Sequence, residues 1–282
     1  MRRSKQSAGY TIVEVMIFLA VSGAMMLSAN LLLTGQQGKT EFAQSVRDLD
    51  SALQDVSNDV SSGFSGYNFD AGDTCRFNAA GQLQVNPGSP EADSFKRCVF
   101  IGKVVQFTND GYVVFPVIGR QSVAGGADVL SLADAEPRAL SPGSPPHQNV
   151  PDASKTLDLR SGTVERVTYN DGTTHETRAI GFFNDFKGSG VNAVQAVGSG
   201  VDVKILDPTM VTADSSKTAT ADAIRNLSAY TANNPNEGIT ICIRSDSSKQ
   251  IAYVNIGVGA AAGAGAGRLA ITSRIQDGGT CT

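Results

Sequence analysis

A single carboxylate, Glu14, stands inside an otherwise apolar run, YTIVEVMIFLAVSGAMMLSANLLL, that covers residues 10–33. Placing a carboxylate in hydrocarbon costs on the order of 3 kcal/mol on insertion scales, so a residue of this type at this place calls for a partner of opposite charge. The other reactive side chains are four cysteines, Cys75, Cys98, Cys242 and Cys281, none of them in a Cys-x-x-Cys pair. That spacing argues against zinc and against a thioredoxin-like redox centre. In oxidising surroundings they would close two disulfides. Three connectivities exist. Cys75–Cys98 with Cys242–Cys281 is the expected one, because the first pair brackets one local excursion and the second ties down the C-terminus. Each loop would contribute roughly 3 kcal/mol in the chain-entropy model.

Other motifs carry no chemistry. The two histidines, His147 and His175, have no partner at ligand spacing, so no metal site is expected. Gly35-Gln36-Gln37-Gly38-Lys39-Thr40 imitates the end of a phosphate-binding loop, but Leu33 stands where its first glycine is needed and an apolar helix leads in instead of a strand. Residues 257–267 (GVGAAAGAGAG) lack the spacing of a dinucleotide fingerprint, and too little chain follows for a βαβ unit. Asn226-Leu227-Ser228 is a glycosylation sequon of the kind that arises by chance. With no nucleophile elbow and no paired carboxylates, neither an enzyme nor a cofactor is expected.

The elements that would position Glu14 begin with the chain's first 62 residues. At ~1.5 Å per residue, a helix over residues 11–33 is roughly 34 Å long, enough to cross a bilayer core. Arg2, Arg3 and Lys5 precede it and the next cation is Lys39, so the positive-inside rule keeps the N-terminus cytoplasmic and sends the remainder across. Gly35 and Gly38 interrupt the helical sequence, which then resumes over residues 39–61. There Phe42, Val46, Leu49, Leu53, Val56 and Val60 form one apolar stripe, with Gln44, Arg47, Asp48, Gln54, Asp55 and Asp59 off it. This stripe predicts docking onto the protein's own sheet, and Gly63 and Gly66 end the helix.

Beyond Gly66 the period becomes that of strands. Residues 103–108 and 112–118 flank Asn109-Asp110-Gly111, and residues 163–169 and 173–180 flank Asn170-Asp171-Gly172, two hairpin signals with the Asp-Gly that tight turns require. Residues 239–244 with 250–256 predict a third hairpin, residues 269–275 a last strand, and residues 83–85 and 201–206 shorter ones. Residues 120–154, with half of the chain's ten prolines, read as a long exposed loop. Residues 207–237 read as a polar segment with a short helix around Ile224, Leu227 and Tyr230.

The N-terminal pattern resembles the type IV pilin and pseudopilin family. The residues that carry the resemblance are the basic leader, Gly9, then Thr11, Ile12, Val13 and Glu14, the apolar run and Gly23. Tyr10 replaces the usual phenylalanine, and Leu31 stands where many members have a helix-melting proline. The resemblance implies cleavage by a prepilin peptidase after Gly9 and methylation of the new amine of Tyr10. It implies an α+β, pilin-like fold: a long N-terminal helix, membrane-spanning in its first half, packed on an antiparallel sheet head. The implied segments are a leader (1–9), a transmembrane and filament-core helix (10–34), its amphipathic continuation (35–62) and an exported β-rich head with two disulfides (63–282). Cys242–Cys281 is similar to the C-terminal disulfide loop of many pilins.

The implied function is a filament subunit, and the large head suits a minor pilin in adhesion, twitching motility or DNA uptake. A pseudopilin of a secretion or competence system would share every motif. An uncleaved, membrane-anchored surface binding protein would not explain Glu14. The implied partners are other subunits, an inner-membrane assembly platform and, before assembly, membrane lipid. Without the first nine residues the chain carries 20 basic against 27 acidic side chains, a balance that disfavours direct nucleic-acid binding.

Overall fold

A computed structural model of the protein describes residues 10–66, 74–77, 83–86, 98–120, 129–145, 150–170, 174–184, 201–225, 238–258 and 269–281. Helix α1 (Ile12–Ser62) is one 51-residue element. Thr11 caps its start, accepting a hydrogen bond from the Glu14 N–H at 3.3 Å. Gly63 ends it in the left-handed conformation (φ 74°), its N–H turned back onto the carbonyls of Asp59 and Val60. A side chain would be strained at that φ, which is why a glycine terminates the helix here.

The strands are β1 (Thr74–Phe77), β2 (Leu83–Asn86), β3 (Cys98–Phe107), β4 (Gly111–Arg120), β5 (Arg138–Ala139), β6 (Lys155–Asp158), β7 (Gly162–Asn170), β8 (Thr174–Glu176), β9 (Ala179–Asn184), β10 (Val201–Ile205), β11 (Ile239–Ser245), β12 (Gln250–Val258) and β13 (Leu269–Asp277). Two short helices, α2 (Leu132–Ala135) and α3 (Lys217–Arg225), complete the described elements. All strand pairs are antiparallel. One sheet runs β10-β9-β3-β4-β5, with β6 also on β4; the other runs β13-β12-β11-β7-β8; β1 and β2 pair with each other.

The expected architecture is therefore corrected in two respects. Among the described residues no helix is long and apolar enough to cross a membrane. Over residues 12–28 the helix carries Glu14, Ser22, Gly23 and Ser28 among its apolar side chains. The head, too, is not one sheet under a helix. It is a predominantly antiparallel β structure built from two sheets of six and five strands.

The apolar stripe of α1 explains how the two sheets are joined. Phe42, Val46, Leu49, Leu53, Val56 and Val60 are all buried in one core that also takes Val105, Phe107, Tyr112 and Phe182 from the first sheet and Val164, Ile241, Ile243 and Val254 from the second. The helix thus covers one face of both sheets. Strand alternation sends Val104, Val113, Phe115 and Val117 to the opposite face of the first sheet, where they pack with Leu206, Ala221, Ile224 and Ala135 in a second core. With apolar cover on both faces, β4 is buried along nearly all its length.

That second core corrects the reading of residues 120–154 as an exposed loop. Val129, Ala135, Ala139, Leu140 and Val150 are buried, and the Leu140 N–H bonds the Pro116 carbonyl at 2.8 Å. The segment's apolar residues follow no regular period, but Val129, Ala135 and Ala139 join the core on the far face of the first sheet. A second correction concerns the hairpin after β7. Only β8 returns along β7; the chain turns at Thr177 and Arg178, and β9 joins the other sheet beside β3. Arg178 fixes this crossing by donating to the carbonyls of Val164 (3.1 Å) and Glu165 (2.7 Å). Helix α3 falls in the predicted polar segment, while Leu227, Tyr230 and the sequon at Asn226 lie outside the described residues.

Candidate functional site

Helix α1 has two contrasting halves. From Gly38 onward it is seated on the head: Gly38 is buried, and a side chain there would meet Ser247 Oγ at 2.8 Å. Lys39 Nζ reaches Asp277 Oδ1 at 3.2 Å, tying the helix to the outer edge of β13. The Gln250 amide, followed by the Lys39 ammonium, holds the Asp277 carboxyl below the ordinary carboxylate range.

The N-terminal half carries its apolar side chains into solvent. Tyr10 is 81% exposed and Ile12 80%, and Met16, Phe18, Leu19, Met25, Met26 and Leu27 are exposed as well. Glu14 is exposed among them. Monomers rarely show a contiguous apolar surface of this kind unless it is an interaction site.

Glu14 also has a local role that the sequence reading missed. Thr11-Ile12-Val13-Glu14 is a capping-box pattern, in which the N-cap hydroxyl accepts from the backbone of the third helical residue, and the Thr11–Glu14 bond has that form. A carboxylate in the first turn further favours the helix dipole. The signal was legible in four consecutive residues.

Of the other expected site residues, Gly9 lies outside the described residues, as does His147. Tyr10 stands two residues before the start of α1. Cys242 and Cys281 are joined, with Cα atoms 5.8 Å apart. The side chains of Cys75 and Cys98 lie outside the described ones, so their expected disulfide does too. His175 stacks on Tyr169 with ring centroids 5.1 Å apart. Among the described residues no three His, Cys, Asp or Glu side chains are grouped so as to hold a metal ion.

A second surface feature was not foreseen. A groove of about 670 Å³ runs between the solvent side of α1 and the β4–β6 edge, with Asp48, Asp55, Asp158 and Tyr112 among its lining residues. The two helix aspartates had read only as the wet face of an amphipathic helix. No family model matches the chain, and neither a curated protein nor a solved structure similar to it is found.

Proposed function

We propose that the chain is a structural subunit of a type IV pilus-like filament, cut after Gly9, N-methylated at Tyr10 and assembled through the apolar half of α1. The observation that carries this reading is the exposure of that half, with Glu14 as the single charge in residues 10–33. A surface of this composition is stable only when covered, and copies of the same helix supply a cover of matching length and chemistry.

In such a bundle the Glu14 carboxylate meets the cationic amine of a neighbouring copy's first residue. Two charges that are each costly in an apolar core then compensate one another and fix the register of addition. The Cys242–Cys281 disulfide supports a head that works outside the cytoplasm. A head this large suits a minor subunit. Intact-mass and N-terminal analysis of the surface-exposed form tests the reading: it should lack nine residues and carry one added methyl group. Retention of Met1, or a cut beyond Tyr10, would overturn it.

A further inference from the structure

The edge strand of a sheet carries a row of unpaired backbone groups, and proteins keep such strands short, bulged or covered. Among the described residues, three of the four edges of the two large sheets follow that rule. β8 has three residues and β10 five, and the far edge of the first sheet is divided between β5 and β6, with two and four. The remaining edge, β13, has nine.

β13 pairs with β12 along its whole length without a register shift, whereas the β3–β4 and β11–β7 ladders each carry one. It contains neither proline nor lysine. Residues 272–277 are exposed, and among the described residues no backbone hydrogen bond reaches β13 on the side away from β12. Its two charges are engaged within the same copy: Arg274 lies 5.0 Å from the centre of the Tyr253 ring, and Asp277 meets Lys39 at 3.2 Å. A long, regular edge of this kind is a template for another strand.

The side chains select which strand. Two copies related by a two-fold axis normal to the sheet pair antiparallel, with residues of one face opposite residues of the same face. Only the register centred on Ser273 pairs all nine residues. It sets Ile271 opposite Ile275 twice, Thr272 opposite Arg274 twice, and Ser273 opposite itself. No like charges meet, and β-branched pairs of this sort stabilise antiparallel ladders. Centring the register on Arg274 instead would set the two guanidiniums against each other.

We infer that β13 is a docking edge for the β13 of a second copy, joining two five-stranded sheets into one continuous sheet. Lys39 meets Asp277 and Asp50 meets Ser273 at 3.0 Å, so α1 runs counter to β13. The α1 helices of the two copies then run in opposite directions, and their apolar halves leave the pair at opposite ends. The contact therefore links copies from separate assemblies, not neighbours within one helical bundle, and it does not rest on the filament reading.

The register is tested with the full chain in non-ionic detergent. Opposed Cβ atoms in a ladder lie about 4.5–5.5 Å apart, close to disulfide reach, so mild oxidation of Ser273→Cys should link most of the protein into dimers. Asp277→Cys is the control. In this register it faces Leu269 and lies roughly 27 Å from its own counterpart, and it should crosslink at least about tenfold more slowly. Ile275→Lys alters both isoleucine pairs at once and should weaken the dimer at least about fivefold in sedimentation equilibrium. All three positions are exposed, so the substitutions leave both cores intact. Absence of a Ser273→Cys dimer would overturn the inference, and so would equal crosslinking at the two cysteine positions, the mark of a parallel or non-specific contact. A dimer as tight in Ile275→Lys as in the parent would overturn it as well, because the contact would then lie elsewhere.

Discussion

Lys103 on β3 reaches across to α1 and places its ammonium 2.5 Å from Asp59 Oδ2, with the lysine side chain 7% exposed and the aspartate 32% exposed. Lys103 lies on the same face of β3 as Val105 and Phe107, the face that packs on the helix. The pair therefore joins the last turns of α1 to the first sheet at one fixed register. Removing a single partner leaves a buried charge uncompensated, a change that costs roughly 3–5 kcal/mol for fully buried pairs. Since Asp59 keeps some contact with water, Asp59→Ala should cost about 2–3 kcal/mol. Replacing both residues, as Asp59→Ala/Lys103→Met, should recover most of that loss. Urea unfolding in non-ionic detergent measures it; a single variant as stable as the parent would show that the ammonium finds water without its partner.

Glu14 has two roles that substitutions can separate. Glutamine at this position keeps the capping-box chemistry but not the charge, whereas valine removes both. The residue is exposed, so either change should leave head stability within about 0.5 kcal/mol. If charge pairing with a neighbour's amine drives assembly, Glu14→Gln and Glu14→Val should both be missing from sheared filaments. Incorporation of Glu14→Gln at the parent's level would instead assign the residue to the helix start alone.

The sequence was most legible where one physical period dominated. The stripe from Phe42 to Val60 named the buried face of α1 residue by residue, and Asn109-Asp110-Gly111 located the β3–β4 turn, where Phe107 pairs with Tyr112. What escaped it depends on contacts far apart in the chain. Nothing local to Thr177 and Arg178 says that β9 will leave β7 and pair with β3, because that choice is made by hydrogen bonds from Arg178 to Val164 and Glu165. Pro-rich composition hid the burial of Val129 and Leu140, which follows from an apolar sheet face that needs a roof. Asp48 and Asp55 are exposed, as their place off the stripe implies; the groove beside them escaped because Tyr112 and Asp158, which also line it, come from strands more than fifty residues away.

Tyr112 should give the protein a distinctive alkaline profile. Burial first, then the negative fields of Asp48 and Asp55, push its hydroxyl up to about 12, against about 10 in an unfolded chain. The folded value is the higher one, so the protonated phenol contributes stability that is complete below about pH 10 and is lost as pH rises from there through about 12. Near-ultraviolet absorbance should show one late-ionising tyrosine that vanishes in Tyr112→Phe, and that variant should lose less stability than the parent over the same interval. An identical alkaline profile in the two proteins would assign the late step to another group.

The Cys242–Cys281 disulfide anchors the C-terminus to an interior strand. Cys242 is buried on β11, which is hydrogen-bonded on both sides by β12 and β7. Cys281 lies just beyond β13, the outer strand of that sheet, whose only partner in it is β12. The bridge thus spans from the sheet's interior to the tail of its edge, over a sequence separation of 39. A loop of that length constrains the unfolded chain by about 4 kcal/mol in the chain-entropy model. Without it, β13 is held by its ladder to β12, by packing under α1 and by outer contacts such as Lys39–Asp277, an exposed ion pair of the kind that contributes little alone. Reduction, or Cys281→Ser, should therefore act on β13 first. Hydrogen exchange should speed up at residues 269–277 while β11 and β7 stay protected, and global stability should fall by about 3–4 kcal/mol. Uniform loss of protection across all five strands would instead show that the sheet melts as one unit, with its edge no weaker than its centre.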